Sequence, residues 1–296
     1  KAGSDYVMKT LSVSVIIPCY NEAASIGSVI ENIRKHYPEF EIIVVDDGST
    51  DASVEVAEQA GALVHRHPYN MGNGAAVKSG IRAAQGDVLV MMDADGQHAA
   101  EDIALLVEPF PDFDMVVGAR RWRQQASLAR QFGNMVYNRL ASYVAKFKVQ
   151  DLTSGFRAVK ADVARRFLYL LPNSYSYPTT STLCVLRSGL PLKYVPIQVQ
   201  KRRKGKSQIR LFKDGVRFFM IIVKICTLFS PFRIFLPVSA VFFITGFLYY
   251  LYTYIAFHRF TNMSALMFTT AIIIFMIGLV SEQICQIIYA RSEKID

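Results

Sequence analysis

An apolar run that ends in two aspartates constrains the fold more than any other stretch of this chain. Residues 88–92 carry only branched or long apolar side chains, and Asp93, Asp95 and Gly96 follow at once. Such a run is typical of a strand buried on both faces of a parallel sheet. Residues two apart in an extended chain point to the same side, so we expect the two carboxylates to converge on one hard cation, such as Mg²⁺ or Mn²⁺. A polar turn is the simpler alternative, because Asp-x-Asp-Gly also suits turns.

Strands and helices alternate over the first hundred residues. Apolar runs and helical periodicity predict strands at 13–18, within 41–49 and at 62–65, with helices at 25–36, through residue 60 and at 72–84. This alternation predicts an α/β fold with a Rossmann-like, mostly parallel sheet and helices on both faces. Ligands of such sheets collect at the carboxyl ends of the strands. The acidic pairs Asp46–Asp47 and Asp93–Asp95 both fall at this edge, which is therefore the predicted site.

After residue 110 the alternation weakens. The patterns predict a strand at 114–120, an amphipathic helix at about 128–148, a polar loop at 151–157, a helix at 160–171 and a strand at 192–199. The amphipathic helix places Arg130, Asn134 and Asn138 on one face at intervals of four residues. We expect this helix to lie near a membrane interface.

The net charge of +9 is concentrated in one short segment. Residues 201–233 hold 10 Lys and Arg against 1 Asp, whereas residues 1–200 hold 20 charges of each sign. The segment precedes long apolar stretches, which favours an anionic membrane surface over nucleic acid as its partner. Residues 208–230 are predicted to form a juxtamembrane amphipathic helix with one basic stripe.

Two apolar stretches follow the basic segment. Ile234–Phe257 contains no charged residue and is long enough to span a bilayer, and Met263–Val280 is a second, slightly shorter stretch. The polar residues 258–262 between them predict a hairpin with both ends on one side of the membrane. Basic residues flank those ends, which predicts that this side is the cytoplasm. Buried core helices are the alternative interpretation.

The start of the chain and its cysteines predict no further feature. The first seven residues lack the apolar core of a signal peptide, so Met8 is the expected natural start and residues 1–7 the expected remnant of cloning. The four cysteines lie far apart with no paired spacing. This pattern is typical of reduced, buried thiols and not of a metal cluster or a disulfide framework.

Five motifs occur in order between residues 15 and 157. They are Val15–Glu22 (VIIPCYNE), Val45–Asp51 (VDDGSTD), Asn70–Gly74 (NMGNG), Asp93–Gln97 (DADGQ) and Ser154–Arg157 (SGFR). Together they resemble the family 2 glycosyltransferases with a GT-A fold, over about residues 11–210. The two apolar stretches fit the polyprenyl-phosphate glycosyltransferase branch, which includes dolichol-phosphate mannose synthases and undecaprenyl-phosphate glucosyltransferases.

The resemblance implies that a nucleotide-sugar donor binds at the acidic edge. It assigns to the donor Pro18, Tyr20, Glu22, Asp46, Asp47, Lys78, Asp93 and Gln97. Carboxylates at strand ends are natural acceptors for ribose hydroxyls or a base N–H. Asp93, Asp95 and Gln97 match the metal motif, so Mg²⁺ or Mn²⁺ is the implied cofactor. A divalent ion there would neutralise the departing nucleoside diphosphate.

The implied acceptor is a polyprenyl phosphate, whose oxygen is already anionic near neutral pH. Such a nucleophile needs little general-base assistance but does need cations that hold two anionic reactants together. The resemblance places Arg120, Arg130 and Arg202 in that catalytic role beside Asp95, and guanidinium forks bind phosphate oxygens bidentately.

Two predicted contacts to the acceptor phosphate depart from the family's pattern. Asn134 stands where the family usually has serine, which keeps a hydrogen-bonding group but leaves its role open. Ser207 is followed by Gln208 where relatives often have lysine, so one expected cation is absent and Lys206 or Arg210 is the substitute.

Three other interpretations compete with this one. Gly72–Gly74 hints at a dinucleotide fingerprint, but Val77 occupies the third small position and the glycines follow the third predicted strand. Processive polysaccharide synthases share the GT-A core and carry Gln-x-x-Arg-Trp, whereas Arg121–Trp122 here has Gly118 at the Gln position. A membrane-anchored nucleotide-sugar-binding subunit without turnover is the third, although charges are costly to keep in an empty site.

The expected protein therefore has a GT-A domain at 8–207, a juxtamembrane helix at 208–230, two transmembrane helices at 231–290 and a cytoplasmic tail at 291–296. It is expected in the inner membrane, multi-pass, with its catalytic domain in the cytoplasm. It would transfer one sugar with inversion, from a UDP-sugar slightly more than from GDP-mannose. The expected partners are the donor, the polyprenyl phosphate and membrane lipids, without nucleic acid, and a homo-oligomer is left open.

Overall fold

The computed structural model describes residues 11–120, 135, 138–139, 141–143, 145–174, 176–198 and 230–292. The chain divides into two compact units, Lys1–Ile209 and Arg210–Asp296.

The first unit is built on a seven-stranded sheet. Its strands are β1 (Val13–Cys19), β2 (Glu41–Asp46), β3 (Leu63–Arg66), β4 (Val88–Met91), β5 (Met115–Arg120), β6 (Arg157–Lys160) and β7 (Leu192–Ile197). Its α-helices are α1 (Ile26–His36), α2 (Ser53–Gln59), α3 (Asn73–Ala83), α4 (Ile103–Val107), α5 (Ala161–Arg166) and α6 (Tyr177–Arg187). Short 3₁₀ turns occupy Ala100–Asp102 and Leu168–Leu170.

The sheet is mostly parallel, as the alternation of strands and helices predicted. The strand order is β3-β2-β1-β4-β6-β5-β7, and only β6 runs antiparallel to its neighbours. Every residue of β1 and β4 is buried, which explains their uninterrupted apolar sequences. The sheet therefore carries its core on both faces.

Helices cover both faces because alternate residues of a strand point in opposite directions. Val15 and Ile17 of β1 belong to one core cluster with the apolar side of α1, which consists of Ile26, Val29, Ile30 and Ile33 as predicted. On the other face α3 approaches Ile16 so closely that a Cβ on Gly80 would lie 2.3 Å from Ile16 Cγ2. Gly80 therefore allows α3 to pack against the central strand.

The antiparallel strand β6 was not predicted. Residues 151–157 were expected to form a loop and 160–171 a helix, whereas Arg157–Lys160 pairs with both β4 and β5, and α5 ends at Arg166. Four residues are too few to show a strand period. Because β6 is antiparallel, its first residue lies at the carboxyl edge of the other strands, and Arg157 pairs with Met91 at the end of β4. The loop at 151–156 is thereby delivered to the predicted site.

Two other predicted elements differ in extent. The described residues between 135 and 145 are helical, but Lys146 adopts φ 53°, so the helix expected to reach residue 148 ends earlier. Ser142 Oγ accepts the backbone N–H of Val149 at 3.0 Å and helps to hold the chain that leaves the helix. Helix α6 was not predicted, because its sequence contains the polar run Thr179–Thr182, all four of which are buried.

The second unit is a hairpin of two long helices, α7 (Phe232–Phe257) and α8 (Asn262–Ser292). Both are long and apolar enough to span a membrane, with mean hydropathy 2.0 and 2.3 over their most apolar stretches. The Ser239 hydroxyl donates to the carbonyl oxygen of Ala271 at 2.7 Å. A Cβ on Gly246 would lie 2.8 Å from Met267 Cβ, so small residues allow the two helices to approach. The predicted hairpin is confirmed.

Candidate functional site

The carboxyl ends of β1, β2 and β4 lie side by side. Cys19 pairs with Asp46 across β1 and β2, and Ile16 pairs with Met91 across β1 and β4. The polar residues that follow each strand therefore share one edge of the sheet, as expected for a parallel sheet.

Asp93 and Asp95 lie in a turn and not in an extended strand. Strand β4 ends at Met91, Gly96 adopts φ 69°, and the backbone N–H of Gln97 donates to Asp95 Oδ1 at 3.1 Å. The extended-chain argument for their convergence was therefore wrong, and the polar turn is the geometry that forms. Both carboxylates still lie at the carboxyl edge and are partly exposed.

The side chains present suit a magnesium or manganese ion. Asp93, Asp95 and Gln97 offer oxygen atoms, which these hard cations prefer. Within the described part of the chain no three His, Cys, Asp or Glu side chains form a metal-binding group. Mg²⁺ usually keeps several waters and binds substrate phosphate oxygens besides one or two carboxylates, which the two carboxylates here would allow. The metal assignment of these three residues stays a prediction.

The Asp93 carboxylate is surrounded by later parts of the chain. It packs against Gly155, where an added Cβ would lie 3.1 Å from Asp93 Oδ2. Burial raises the pKa of the Tyr177 hydroxyl, and the charge of Asp93 raises it further. Asp93 thus lies where β4, the 151–156 loop and the start of α6 meet.

Arg120 at the end of β5 forms a bidentate ion pair with Asp151. Arg120 Nε lies 2.7 Å from Asp151 Oδ2, and Nη2 lies 3.0 Å from Oδ1 and 2.7 Å from Thr153 Oγ1. Burial alone would lower the pKa of Arg120, but the hydrogen bonds and charge of Asp151, with the charge of Asp93, leave it above its ordinary value. Burial likewise opposes ionisation of Asp151, and Arg120 more than offsets it, so the pKa of Asp151 is lowered.

This pair fixes the orientation of one predicted acceptor cation. Three of the five guanidinium N–H groups of Arg120 are directed to Asp151 and Thr153. The two on Nη1 have no hydrogen-bond partner among the residues described here. Arg120 can therefore offer Nη1 to a phosphate oxygen while the pair stays intact, and its acceptor role stays a prediction.

Sequence reasoning gave no role to Arg157, which is fully buried. Its guanidinium donates to the carbonyl oxygens of Ser154 and Pro178, at 3.1 and 2.7 Å, and to the hydroxyls of Ser181 and Thr182, at 2.7 and 3.0 Å. Burial lowers the pKa of Arg157. Arg157 thus ties the 151–156 loop to α6 and explains why α6 buries a polar run.

His98 was also missed, although it directly follows the predicted metal motif. Its ring stacks on Phe156 with centroids 4.6 Å apart. Burial, followed by the charge of Arg120, lowers the pKa of His98 to about 4. A neutral imidazole therefore packs between the Asp93–Gln97 turn and the Arg120–Asp151 pair. Its position after Gln97 was the only signal in the sequence.

Asp46 and Asp47 at the end of β2 make different contacts. Asp46 is fully buried and accepts the backbone N–H of Ser49 at 3.1 Å, with Arg66 Nε 3.7 Å away. Asp47 accepts the backbone N–H groups of Met71 and Gly72 at 2.9 and 2.8 Å. In this structure Asp47 therefore holds the loop after β3, and its predicted donor contact is not tested.

The other predicted donor residues are distributed around the same edge. Pro18 is buried within β1, Tyr20 is exposed, and Glu22 accepts the backbone N–H of Ile26 with its carbonyl oxygen at the start of α1. Lys78 on α3 donates to the carbonyl oxygen of Leu171 at 3.2 Å, and burial lowers the pKa of its ammonium. Their donor contacts stay predictions.

A polar cleft of about 320 Å³ opens beside Asp95. It runs between the start of α1 and the residues after the metal motif, and its lining includes Glu22, Ser25, His98 and Glu101. Its walls carry three carboxylates, Glu22, Asp95 and Glu101, so the cleft would repel a phosphate unless a cation is bound there.

The start of α3 is occupied by the protein's own backbone. The carbonyl oxygen of Asn173 accepts the N–H groups of Gly74 and Ala75 at 3.0 and 3.3 Å. A Cβ on Gly72 would lie 2.3 Å from the same oxygen. The protein's own backbone therefore fills this helix N-terminus, which argues against the dinucleotide fingerprint.

Four predicted acceptor residues, Arg130, Asn134, Arg202 and Ser207, lie outside the described residues. The same holds for the predicted juxtamembrane helix up to residue 229. Their roles rest on the sequence alone.

Comparison with family models identifies two matches. Residues 14–168 match the model of glycosyl transferase family 2, and residues 230–287 match the model of the GtrB C-terminal hairpin. The first match covers β1 to β6 except for Val13, and the second contains α7 and most of α8.

Individual proteins give the same result. An uncharacterised protein of Methanocaldococcus jannaschii is 32% identical over 72% of this chain and 92% of its own length. The undecaprenyl-phosphate mannosyltransferase of Micrococcus luteus is 31% identical over 67% of this chain and 88% of its own length. The solved structure of Mycobacterium tuberculosis glucosyl-3-phosphoglycerate synthase with Mn²⁺ and UDP-glucose has a TM-score of 0.61 at 22% identity, covering 76% of this chain and 81% of that one, which shows a shared fold.

Proposed function

The chain belongs to glycosyl transferase family 2, and from that premise we propose that it transfers one sugar from a nucleotide-diphosphate donor to a polyprenyl phosphate. The observation that carries this proposal is one sheet edge that joins the Asp93–Asp95 turn to the Arg120–Asp151 pair, in a chain that ends in an apolar hairpin. An anionic donor and an anionic lipid phosphate need this combination of groups.

The acidic turn supports donor binding. Asp93, Asp95 and Gln97 would hold Mg²⁺ or Mn²⁺, which supplies positive charge to a leaving nucleoside diphosphate. Gly155 leaves space beside the Asp93 carboxylate, and Asp46 with Tyr20 lies towards the β2 and β1 side, where we place the nucleoside. We favour a UDP-sugar slightly over GDP-mannose.

The cations support a phosphate nucleophile. Arg120 is held by Asp151 with its Nη1 group uncommitted among the described residues, and Arg130 and Arg202 are the further predicted cations. A phosphate oxygen is ionised near neutral pH, so attack on the sugar's anomeric carbon needs orientation more than proton removal. A single attack of this kind inverts the configuration at that carbon.

The hairpin supports a membrane-bound acceptor. Helices of 26 and 31 residues rise about 39 and 46 Å, more than the roughly 30 Å hydrocarbon core of a bilayer. We propose a multi-pass protein of the inner membrane whose catalytic unit faces the cytoplasm, as the basic residues before α7 predict. The basic residues would also attract the anionic lipid surface.

Radiolabel transfer tests the proposal. The full chain in nanodiscs is incubated with undecaprenyl phosphate and a panel of UDP- and GDP-sugars, with Mg²⁺, with Mn²⁺ and with EDTA. We expect a lipid-linked product from one donor, lost in EDTA. Transfer of the sugar to water in place of the lipid would contradict the acceptor assignment. A lipid-linked product that still forms in EDTA would contradict the metal assignment. Donor binding without any product would favour the nucleotide-sugar-binding subunit.

A further inference from the structure

A buried imidazole connects three elements on the donor side of the site. His67 directly follows β3 and is only 9% exposed. Its Nδ1 lies 2.8 Å from Asp47 Oδ1, and its Nε2 lies 2.9 Å from the Ser79 hydroxyl on α3. Its backbone N–H donates to the carbonyl oxygen of Asp46 at 2.8 Å.

The chemistry of the partners assigns the tautomer. An ionised carboxylate only accepts hydrogen bonds, so Nδ1 carries the proton that is donated to Asp47. In the neutral ring Nε2 then accepts from the Ser79 hydroxyl. His67 is thereby held at both ring nitrogens and cannot rotate without losing a bond.

Asp47 connects His67 to the loop after β3. Besides His67, its carboxylate accepts the backbone N–H groups of Met71 and Gly72 at 2.9 and 2.8 Å. The loop also packs on the end of β2, because a Cβ on Gly48 would lie 2.7 Å from the Tyr69 carbonyl carbon. The backbone of residues 69–72 thus packs against Gly48 and is hydrogen-bonded by Asp47.

The loop carries exposed side chains at the edge where we place the nucleoside. Tyr69 is 66% exposed and Met71 39% exposed. Tyr20, also exposed, follows β1. Strands β1 and β3 flank β2, so Tyr20 and Tyr69 follow strands on opposite sides of Asp46–Asp47. Flat, half-exposed aromatic rings are suitable surfaces for a nucleobase.

We propose that His67 is a positioning residue for donor binding: it orients Asp47 and, through it, the 69–72 loop that borders the nucleoside. This inference rests on the proposed function. His67 acts without touching the donor, since it lies beneath the loop. It contributes to the affinity for the nucleotide part of the donor and not to the acceptor side.

Substitutions of His67 separate this role from fold stability. His67→Gln removes the Nδ1 donor to Asp47, whereas His67→Asn places an amide nitrogen where Nδ1 was. We expect His67→Gln to raise the donor KM about tenfold, which corresponds to about 1.4 kcal/mol, with kcat and the acceptor KM within about twofold of wild type. We expect the donor KM of His67→Asn to stay within about threefold of the wild-type value. The matched control is His36→Gln, an exposed histidine at the end of α1 that precedes β2, whereas His67 and Asp47 lie at the carboxyl end of β2.

Two outcomes overturn the proposal. One is a folded His67→Gln protein with an unchanged donor KM, and the other is a loss of kcat with both KM values unchanged. If His67→Gln does not fold, Ser79→Ala provides the test, because this variant removes only the Nε2 contact. We expect Ser79→Ala to raise the donor KM about threefold. A folded Ser79→Ala protein with a normal donor KM would refute the proposal.

Failure of the proposed function would be distinguishable from failure of the His67 proposal. In that case the wild-type chain itself would transfer no sugar and would show no binding of UDP or GDP by calorimetry. If wild type binds a nucleotide but transfers nothing, the same variants are compared by their Kd for that nucleotide. His67→Gln should then weaken binding by the same factor.

Discussion

Arg120 and Asp151, 31 residues apart in the chain, form a bidentate ion pair with N–O distances of 2.7 and 3.0 Å. The arginine ends β5, and the aspartate begins the loop that leads into β6. The pair therefore closes the site on the β5 side, away from the β1 and β2 side where we place the nucleoside, and fixes the direction of the guanidinium. A buried charge held in this way loses much when its partner is removed.

Replacing Asp151 should reduce both activity and stability. Asp151→Asn places amide hydrogens opposite guanidinium donors and leaves Arg120 without its counter-charge. We expect the free energy of unfolding to fall by roughly 2 to 4 kcal/mol and transfer to fall about a hundredfold. Thermal unfolding and radiolabel transfer measure the two effects.

A second ion pair on the same strands provides the control. Lys160 Nζ lies 2.6 Å from Asp114 Oδ1. Lys160 ends β6 and Asp114 directly precedes β5, so this pair lies at the edge of the sheet opposite to Arg120. Asp114→Asn should cost at most about 1 kcal/mol, and transfer should stay within about twofold of wild type. Equal losses of transfer in the two variants would show that the Arg120 pair has no special role.

The same pair predicts a dependence of stability on pH. The pKa of Asp151 is lowered in the folded protein from an ordinary value of 3.8. Its contribution to stability is therefore complete above the ordinary value and is lost as pH falls through the lower folded value. Wild type should exceed Asp151→Asn in unfolding free energy by a constant amount at neutral pH, and the difference should shrink below about pH 4. A difference that stays constant in acid would contradict the lowered pKa.

Asp95 should be needed for turnover and not for folding. Asp95→Asn removes one charge from a partly exposed turn, so the unfolding temperature should stay within a few degrees of wild type. Transfer should fall by at least about a thousandfold, because the charge that neutralises the leaving diphosphate is no longer held. Asp112→Asn, in an exposed loop, is the matched control. Full activity of Asp95→Asn in the presence of Mg²⁺ would remove the metal assignment.

Gly155 should tolerate no side chain. Its φ is not positive, so alanine is compatible with the backbone, but the new Cβ would lie 3.1 Å from Asp93 Oδ2. We expect Gly155→Ala to raise the metal concentration needed for half-maximal transfer about tenfold, and Gly155→Val to raise it further. Metal titrations of the transfer reaction test this order. If Gly155→Val and Gly155→Ala needed the same metal concentration for half-maximal transfer, the larger side chain would not displace Asp93.

Buried strands and their polar ends were predictable because they depend on local sequence. The apolar runs of β1, β2 and β4 needed no tertiary information, and a parallel order required Asp46 and Asp93 to share an edge. The convergence of Asp93 and Asp95 on one cation stays a prediction, and its extended-chain argument does not apply, because the chain turns at Gly96.

Contacts between distant segments were not predictable. β6 has four residues and is held as a strand by pairing with β4 and β5 and not by its own propensity. The hydroxyl-rich start of α6 resembles a loop until Arg157 is placed among Ser181 and Thr182. Likewise nothing in the local sequence pairs Arg120 with Asp151, because no period connects residues 31 apart.

The reversed direction of β6 makes one short strand responsible for the alignment of two others. Val117 of β5 and Met91 at the end of β4 both pair with Arg157, so the first residue of β6 sets how far both strands extend towards the same edge. A one-residue slip of β6 would turn Arg157 to the other face of the sheet. The guanidinium would then lose its bonds to Ser181 and Thr182, so a shift in four residues would separate α6 from the loop that precedes β6.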